Sequence, residues 1–293
     1  MPPENIQTPV KIGKFKASRI IVSESWNILK QSKGIMWFPV VSSILTSLIA
    51  ILVVGISFYF VGLDKIFGNS VQGSDGSANG AVFYAIFFVV YLVIFFIVNF
   101  FESGLFIVIQ ARFSGQTLSF KDGVRGARDN IGNIFLWSLI SATVGLVLQI
   151  IADKLKFIGK IIAYFFGAAW NILTFFSLPV LVIGRTSIKD SFKESASIIR
   201  KTWGETIILK FGTGLFFGII IFLLIALSIG LMILLPSLYT FIVVVVLLVV
   251  AIVIISIISS TLNSIFKLAL FNYARTGQVP QGFSESVIKN SIN

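Results

Sequence analysis

The sequence predicts an all-α protein, a polytopic membrane bundle of six transmembrane helices. Composition is the first reason: of the 293 residues, 56% are hydrophobic and 12% are charged, against about 45–50% and about 25% in soluble domains. The second reason is the length of the uncharged stretches, which cover 34–63, 76–101, 130–152, 161–184 and 211–266. A helix needs about 20 apolar residues to cross the hydrocarbon core, so the last stretch must fold back into two spans.

The spans follow from these stretches in order. A turn at Pro236–Tyr239 divides the longest one, because proline cannot extend the helix that precedes it. The β-branched run 241–246 would favour a strand in water, but in lipid every backbone group must pair within its segment, which favours helix. A β-barrel is excluded because no segments of about ten residues alternate between apolar and polar side chains. The predicted spans are 36–62, 81–110, 132–152, 159–184, 206–235 and 239–271.

Polar segments are expected to form amphipathic helices on the cytoplasmic side: one before the first span, at 11–33, and two links between spans, at 117–131 and 187–203. A cytoplasmic tail, 277–293, should begin one more, so that 1–293 forms a single membrane domain. The segment 187–203 has two interpretations, which the sequence leaves open: an interfacial helix with its bases towards lipid phosphates, or a helix packed on the ends of the bundle. Its apolar residues recur at helical spacing, at Ile188, Phe192, Ala196, Ile199 and Trp203.

Repetition indicates which segments share a side of the membrane. Three apolar runs end in arginine and pass into a short polar segment, at Arg112, Arg185 and Arg275; we call these helix ends the arginine ends. Matching segments should lie on one side, alternating with the spans. Two further pairs match without gaps: Ser119–Asp122 with Ser187–Asp190, and Glu24–Gly34 with Glu194–Gly204.

The distribution of cations predicts orientation. Residues 1–36, 112–131, 185–204 and 267–293 hold 18 of the 23 Lys and Arg residues. The positive-inside rule therefore places both termini and the arginine ends in the cytoplasm of a multi-pass cell-membrane protein. The net charge of +11 then reflects orientation and attraction to anionic lipids of the inner leaflet, and no nucleic-acid partner is expected.

Several kinds of chemistry lack the residues they require. The chain contains no cysteine and no histidine, which removes disulfides, thiolate nucleophiles, the usual zinc ligands and histidine acid–base catalysis. We therefore expect no catalytic residues, no metal site, no cofactor and no enzymatic activity. The N-terminus does not have the pattern of a cleavable signal peptide, because its polar part is about 34 residues long and no small-residue cleavage site follows.

A set of residues and short segments covers most of the chain: Ser25-Trp26-x-x-Leu29, Phe38-Pro39, Ser42, Gly115, the run Trp137–Leu148, Trp170, Pro179–Val182, Ser195 and Lys201–Gly204. Taken together, they resemble a widespread family of six-span prokaryotic integral membrane proteins of unknown function. More weakly, the chain is similar to the membrane domain attached to some glycerophosphodiester phosphodiesterases; it carries no hydrolase domain, so that activity is not implied. The family supplies no catalytic residues, and the resemblance implies the fold and a bacterial or archaeal origin. This chain departs from the family pattern at Gly184-Arg185, where an acidic residue is expected.

Charged residues inside the spans form the first candidate site. Glu102, Lys210 and Lys267 fall within predicted spans, where a charge costs about 2.5–3.5 kcal/mol on insertion scales. Glu102 and Lys267 lie at similar distances from their arginine ends, so an ion pair between spans two and six is expected, with Lys210 as the alternative partner of Glu102. Such a pair serves structure or couples an ion or substrate.

Two more groups complete the candidates. Asn99, Asn171 and Asn263 precede their arginines by 13, 14 and 12 residues and should occupy one depth, either as a polar cluster or as separate interhelical hydrogen bonds worth about 0.6 kcal/mol each. The small-residue pairs Ser141/Gly145, Ala163/Gly167 and Gly214/Gly218 should let spans three, four and five pack closely. The bases expected to contact lipid headgroups are Lys189, Lys193, Arg200 and Lys201.

Two functions remain open from the sequence. The first is a non-catalytic accessory or assembly protein that holds lipid or a protein partner through its basic helices. The second is a small transporter or lipid-moving protein that uses the polar level around Glu102 and Lys267. Association of several copies into a pore is a third, weaker alternative.

Overall fold

A computed structural model describes residues 14–61, 78–201 and 203–284, and all regular structure in these ranges is helical. The predictions for 1–13, 62–77 and 285–293 lie outside the described residues. A 3₁₀ turn at Lys33–Met36 follows the first helix. The α-helices are α1 Lys14–Gln31, α2 Trp37–Val61, α3 Ala78–Phe113, α4 Phe120–Asp129, α5 Ile131–Lys154, α6 Lys156–Leu173, α7 Ser177–Val182, α8 Ile188–Lys201, α9 Trp203–Leu234 and α10 Leu238–Thr276.

Six segments are long and apolar enough to cross a membrane, and they coincide with the six predicted spans. The polytopic helical fold is therefore confirmed. The predicted turn between the last two spans is present: α9 ends at Leu234, and the Ser237 hydroxyl accepts a hydrogen bond from the backbone N–H of Thr240 at the start of α10. The three segments that were predicted to form amphipathic helices, 11–33, 117–131 and 187–203, contain α1, α4 and α8.

The fourth span differs from its prediction. The sequence predicts one uninterrupted helix over 159–184, but α6 ends at Leu173 and the short helix α7 begins at Ser177. Pro179 explains the interruption, because its ring crowds the carbonyl group of Phe175 and it has no N–H to donate there. The break lies within the apolar run, and its backbone groups therefore need other partners.

The chain forms two compact units. The central unit comprises Trp37–Val108 and Leu118–Ser197, and in it α5 and α6 pack along each other. The terminal unit comprises the described residues of Met1–Met36, Ile109–Thr117 and Ile198–Asn293. In the terminal unit, α9 and α10 pack together and α1 packs against both.

Buried side chains concentrate towards the arginine ends. Residues 261–271 of α10 are nearly all buried, whereas no residue from 218 to 260 is. Large apolar side chains in that stretch are open, among them Leu238 (76% exposed) and Phe222 (69%). Apolar surface of this extent requires a hydrocarbon environment. The chain is a multi-pass membrane protein.

Candidate functional site

The two links between spans, 117–131 and 187–203, begin with the same capping arrangement. In one, the backbone N–H of Asp122 donates to Ser119 Oγ at 3.3 Å, and that hydroxyl donates to Asp122 Oδ2 at 2.6 Å. In the other, the N–H of Asp190 donates to Ser187 Oγ at 3.2 Å, and that hydroxyl donates to Asp190 Oδ2 at 2.6 Å. Such boxes satisfy N–H groups that the first turn of a helix leaves unpaired. The matching sequences therefore start matching helices, α4 and α8.

The cap of α4 changes the acidity of its carboxyl group. A hydrogen bond from the Ser119 hydroxyl, with a second from the backbone N–H of Ser119, holds the pKa of Asp122 below its ordinary value. The positive charge of Arg125 acts in the same direction, and slight desolvation opposes both. The Asp122 carboxylate therefore remains ionised at neutral pH and keeps accepting both hydrogen bonds.

The predicted lipid contacts on α8 are exposed. Lys189, Lys193 and Arg200 all point away from the protein, whereas the side chain of Lys201 lies outside the described set. The link helix α4 presents an equally exposed basic face that the sequence analysis left out, formed by Lys121, Arg125 and Arg128. The shared Ser-x-Lys-Asp pattern was the signal that pointed to it.

The opposite face of α8 packs on protein. The ring of Phe192 packs against Trp137 of α5 and Trp170 of α6, with centroid distances of 5.0 Å and 5.4 Å, and the two indole rings stack on each other at 6.4 Å. Ser191 and Ser195 on the same helix are completely buried. Of the two interpretations left open for this segment, packing on the ends of the spans therefore applies to this face, while Lys189, Lys193 and Arg200 are exposed.

Ser195 supplies the partners that the broken span lacks. Its hydroxyl donates to the carbonyl oxygen of Leu173 at 2.7 Å and accepts from the backbone N–H of Phe176 at 3.1 Å. Those two groups flank the break between α6 and α7. An unpaired backbone group in hydrocarbon costs several kcal/mol, so one buried hydroxyl stabilises both sides of the interruption.

The helix α4 sits against α3 through two glycines. A Cβ on Gly123 would lie 2.7 Å from the carbonyl oxygen of Gly104 and 2.5 Å from the ring of Phe38. The Phe38 ring also packs on Phe120, the first residue of α4, at 4.6 Å between centroids. Only glycine permits this approach of two backbones. A sequence pattern for it was absent, because the two glycines lie 19 residues apart on different helices.

Asn99 makes one of the interhelical hydrogen bonds that the sequence suggested. Its amide donates to Ser138 Oγ of α5 at 2.9 Å, and that hydroxyl donates onward to the carbonyl oxygen of Ile134 at 2.8 Å. The hydroxyl of Ser103 donates to the backbone carbonyl of Asn99 at 2.6 Å. Asn99 therefore joins spans two and three as part of a buried chain of hydrogen bonds.

The other two asparagines have different surroundings. Asn171 is exposed, and its amide donates to the carbonyl oxygen of Gly167 in its own helix at 2.9 Å. Asn263 is exposed on α10, in the terminal unit. Within the central unit, Asn99 and Asn171 thus share a predicted depth but face in different directions.

The embedded charges fall in different units. Glu102 belongs to the central unit and Lys267 to the terminal unit, and each is half-buried. The side chain of Lys210 lies outside the described set. The ion pair between spans two and six therefore stays a prediction.

The small-residue pairs also differ. A Cβ on Gly145 would lie 2.8 Å from the ring of Tyr91, which shows a close approach of α3 and α5. Beside Gly218 of α9, by contrast, no atom lies within 4 Å of such a Cβ. The small residue serves packing in α5 but not at this position of α9.

Two arginine ends lie side by side in the terminal unit. The Asn272 amide near the end of α10 donates to Gln110 Oε1 near the end of α3 at 2.7 Å. The guanidinium of Arg112 donates to Gln31 Oε1, the last residue of α1, at 2.8 Å. The ends of spans two and six thus meet at one level, as the repeated segments predict.

Each repeated segment also ends its helix with a left-handed residue. These residues are Gly115 (φ 77°), Arg185 (φ 51°) and Gly277 (φ 70°). Glycine adopts this conformation without strain. Arg185 is a non-glycine residue there, at a cost of about 1–2 kcal/mol.

The described start of the tail docks on the terminal unit. The ring of Phe283 packs against Phe113 and Phe266, with centroids 6.1 Å and 6.4 Å away. The backbone N–H and the hydroxyl of Ser284 both donate to Glu24 Oε1 of α1. Phe283 thus makes aromatic contacts comparable to those of Phe192. Residues 277–284 themselves are not helical.

Most of these features lie in the part of the chain that matches a known protein family. The model of a family of unknown function (DUF6159) matches residues 81–282, from the start of α3 to the docked tail. The chain belongs to this family. The match agrees with the resemblance to a membrane family without an assigned role, and it covers both capping boxes, the broken span and all three arginine ends.

No curated protein and no solved structure matches the chain. The weaker likeness to the membrane domain of glycerophosphodiester phosphodiesterases receives no support from these comparisons.

Proposed function

We propose that this chain is a non-catalytic protein of the cell membrane that binds anionic lipid headgroups through its basic link helices. The arginine ends and both termini lie in the cytoplasm in this proposal, as the distribution of Lys and Arg indicates. The observation that carries the proposal is the two-sided character of α8. One face is fixed by buried Ser195 and Phe192, while Lys189 and Lys193 are exposed.

The electrostatics of a membrane surface support this reading. A Lys or Arg near an anionic leaflet contributes about 1 kcal/mol of attraction. Bases outnumber acids on both helices: α4 carries three bases against Asp122 and Asp129, and α8 carries four against Asp190 and Glu194. The exposed bases of α4 and α8 therefore supply the attraction for phosphate-bearing headgroups.

Lipid retention tests the proposal. The protein is extracted in mild detergent from bilayers of phosphatidylglycerol and phosphatidylcholine, and retained lipids are counted by native mass spectrometry. The double substitution Lys189→Gln/Lys193→Gln should weaken retention of phosphatidylglycerol by about thirtyfold, since two contacts of about 1 kcal/mol are lost. Retention of phosphatidylcholine should not change.

The other end of the same spans provides a matched control. Lys154 and Lys160 are also exposed and stand at the connection between α5 and α6. Their replacement by Gln should leave retention of phosphatidylglycerol unchanged. Equal losses in the two double variants, or no loss in either, would contradict a headgroup site on α8.

Orientation has its own test, because the chain contains no cysteine. A single cysteine at Lys154 should react with a membrane-impermeant maleimide added to intact cells, and one at Lys193 should react only after lysis. The reverse pattern would overturn the cytoplasmic placement of the arginine ends.

A transporter is the second candidate, and the broken fourth span is the observation in its favour. Transporters place their sites at interrupted helices near the middle of the bilayer. The variants Glu102→Gln and Lys267→Met discriminate between the candidates. If the double variant folds but loses ion-dependent uptake in vesicles, the non-catalytic proposal fails. If each single change destabilises, the double recovers and cellular function persists, the transporter fails.

A further inference from the structure

We propose that Ser195 is a latch that holds the fourth span in its broken form, so that the seating of α8 sets the shape of that span. The latch is distinct from headgroup binding and does not depend on it. The residues that form it all lie in the central unit: Ser195 of α8, the end of α6, the break and α7.

The hydrogen bonds at the break define two forms of the span. In a continuous α-helix, the N–H of Phe176 would donate to Ile172 and the carbonyl of Leu173 would accept from Ser177. In the structure, the N–H of Phe175 donates to the carbonyl oxygen of Ile172 at 3.1 Å, and the N–H of Ser177 donates to the carbonyl oxygen of Thr174 at 3.0 Å. The tightened turn leaves one donor, on Phe176, and one acceptor, on Leu173.

The Ser195 hydroxyl bonds to both of the groups left over. It is completely buried, as is Phe176, so water does not compete for the same positions. Removing the hydroxyl therefore raises the free energy of the broken form, because two backbone groups lose their partner away from water. The continuous form, which pairs both groups within the helix, does not use Ser195.

Pro179 keeps the two forms close in free energy. In a continuous helix it leaves the carbonyl of Phe175 without its i+4 donor and crowds that group. Interrupting the helix relieves the crowding, but the broken form needs Ser195 to pair the backbone groups of Leu173 and Phe176. The continuous form thus carries a crowded carbonyl at Phe175, and the broken form depends on Ser195 for two backbone groups. Whether α8 is seated on the span therefore decides which form has the lower free energy.

A second buried hydroxyl points to the same alternative form. Ser177 Oγ is completely buried and has no hydrogen-bond partner. Buried hydroxyls are ordinarily paired. In a continuous helix, this hydroxyl would reach the carbonyl oxygen of Leu173, four residues earlier, which is the acceptor that Ser195 occupies in the broken form. The unpaired Ser177 is therefore explained by a form in which Ser195 has moved away.

Distance measurement between spin labels tests the latch. The chain contains no cysteine. Replacing both Phe165 and Arg185 by cysteine in one chain therefore gives two labelling positions, both exposed, on either side of the break. A continuous helix separates these positions by about 30 Å at ~1.5 Å per residue. We expect the break to kink the span and so to bring them closer. The unsubstituted protein should show the shorter distance. Ser195→Ala should add a population near the longer one.

Ser191 is the matched control. It lies one turn before Ser195, is equally buried, and donates only to the carbonyl of Ile188 in its own helix. Ser191→Ala should leave the distance distribution unchanged. An unchanged distribution in Ser195→Ala, or the same long population in Ser191→Ala, would overturn the latch.

Pro179→Ala provides the second variant. Combined with Ser195→Ala, it removes both the defect of the continuous form and the support of the broken form, so the double variant should fold with the longer distance alone. This result remains decisive where Ser195→Ala by itself does not fold. A double variant that fails to fold, or that keeps the shorter distance, overturns the latch, and neither result bears on lipid retention.

Discussion

The fourth span carries Pro179 six residues before Arg185, whereas the sixth carries Ala269 six residues before Arg275. Accordingly, the fourth span is interrupted between Leu173 and Ser177, and α10 continues without interruption to Thr276. Each span belongs to a unit in which an amphipathic helix carries an aligned Glu-Ser pair. On α8, Ser195 bonds to the broken backbone, and on α1 the equivalent Ser25 is equally buried but its hydroxyl has no partner.

The difference shows what a repeated residue can and cannot specify. Alignment of Glu24–Gly34 with Glu194–Gly204 preserves the position of the serine, but its role depends on the span beside it. A continuous helix pairs its interior N–H and C=O groups with each other, so a serine on a neighbouring helix meets no unpaired backbone group there. The proline therefore creates the role that Ser195 performs, and the predictions below test this dependence in both spans.

The largest effect is expected when the proline is copied into the sixth span. Ala269→Pro removes a backbone hydrogen bond from a fully buried turn of α10 and should lower the free energy of unfolding by about 3 kcal/mol or more. Thermal unfolding in detergent measures the loss. Leu238→Pro is the control, because the first helical position tolerates proline. Equal stability of the two variants would show that the sixth span accepts a break as well.

A smaller effect should separate the two serines. Ser195→Ala leaves two buried backbone groups with no hydroxyl partner and should lower the free energy of unfolding by about 2 kcal/mol. Ser25→Ala removes a buried hydroxyl that makes no hydrogen bond. The free energy of unfolding of this variant should therefore stay within about 0.5 kcal/mol of that of the unsubstituted protein, or rise above it. Parallel thermal melts compare them, and a larger loss in the Ser25 variant would reverse the comparison.

The left-handed residues at the two helix ends should respond with opposite signs. Arg185→Gly relieves the strain of a non-glycine residue at φ 51° and should stabilise by about 1 kcal/mol. Gly277→Ala introduces the same strain and should destabilise by about 1 kcal/mol, since no atom lies within 4 Å of the added methyl group. The melting temperatures should move apart. Shifts in the same direction would mean that contacts, and not backbone strain, dominate at these positions.

The smallest effect is a difference in acid sensitivity between the units. The lowered pKa of Asp122 means that its cap contributes stability above the ordinary value of about 3.9, and that this contribution is lost as the pH falls through the lower folded-state pKa. The start of α10 is capped by the hydroxyl of Ser237, which does not titrate. Hydrogen exchange, corrected for intrinsic rates, should therefore show acid loosening at α4 and none at α10. Loosening that persists in Asp122→Asn would assign the effect to another group.

Much of the fold was predictable because lipid restricts the choices. A span must be helical and about 20 apolar residues long, so hydropathy placed six spans close to their observed ends. The Ser-x-Lys-Asp pattern predicted matching links, because a capping box depends on residues within one turn. Both features are local in the sequence.

The candidate site was less predictable, because its properties depend on the direction in which each side chain points and on partners that are distant in the sequence. Counting residues from an arginine gives the depth of Asn99 and Asn171, but not the face of the helix, which turns about 100° per residue. The packing of neighbouring helices buries one and exposes the other. Pro179 was visible in the sequence, but the break also requires Ser195, a partner 16 residues further along the chain.

Helix length carries a final consequence. At about 1.5 Å per residue, the 39 residues of α10 extend about 58 Å, whereas the 25 residues of α2 extend about 38 Å. A bilayer that matches α2 leaves roughly 20 Å of α10 to be accommodated by tilt or by projection beyond the hydrocarbon. Membrane thickness is therefore a variable to which this protein should respond, and acyl chains of different length will favour different inclinations of its last helix.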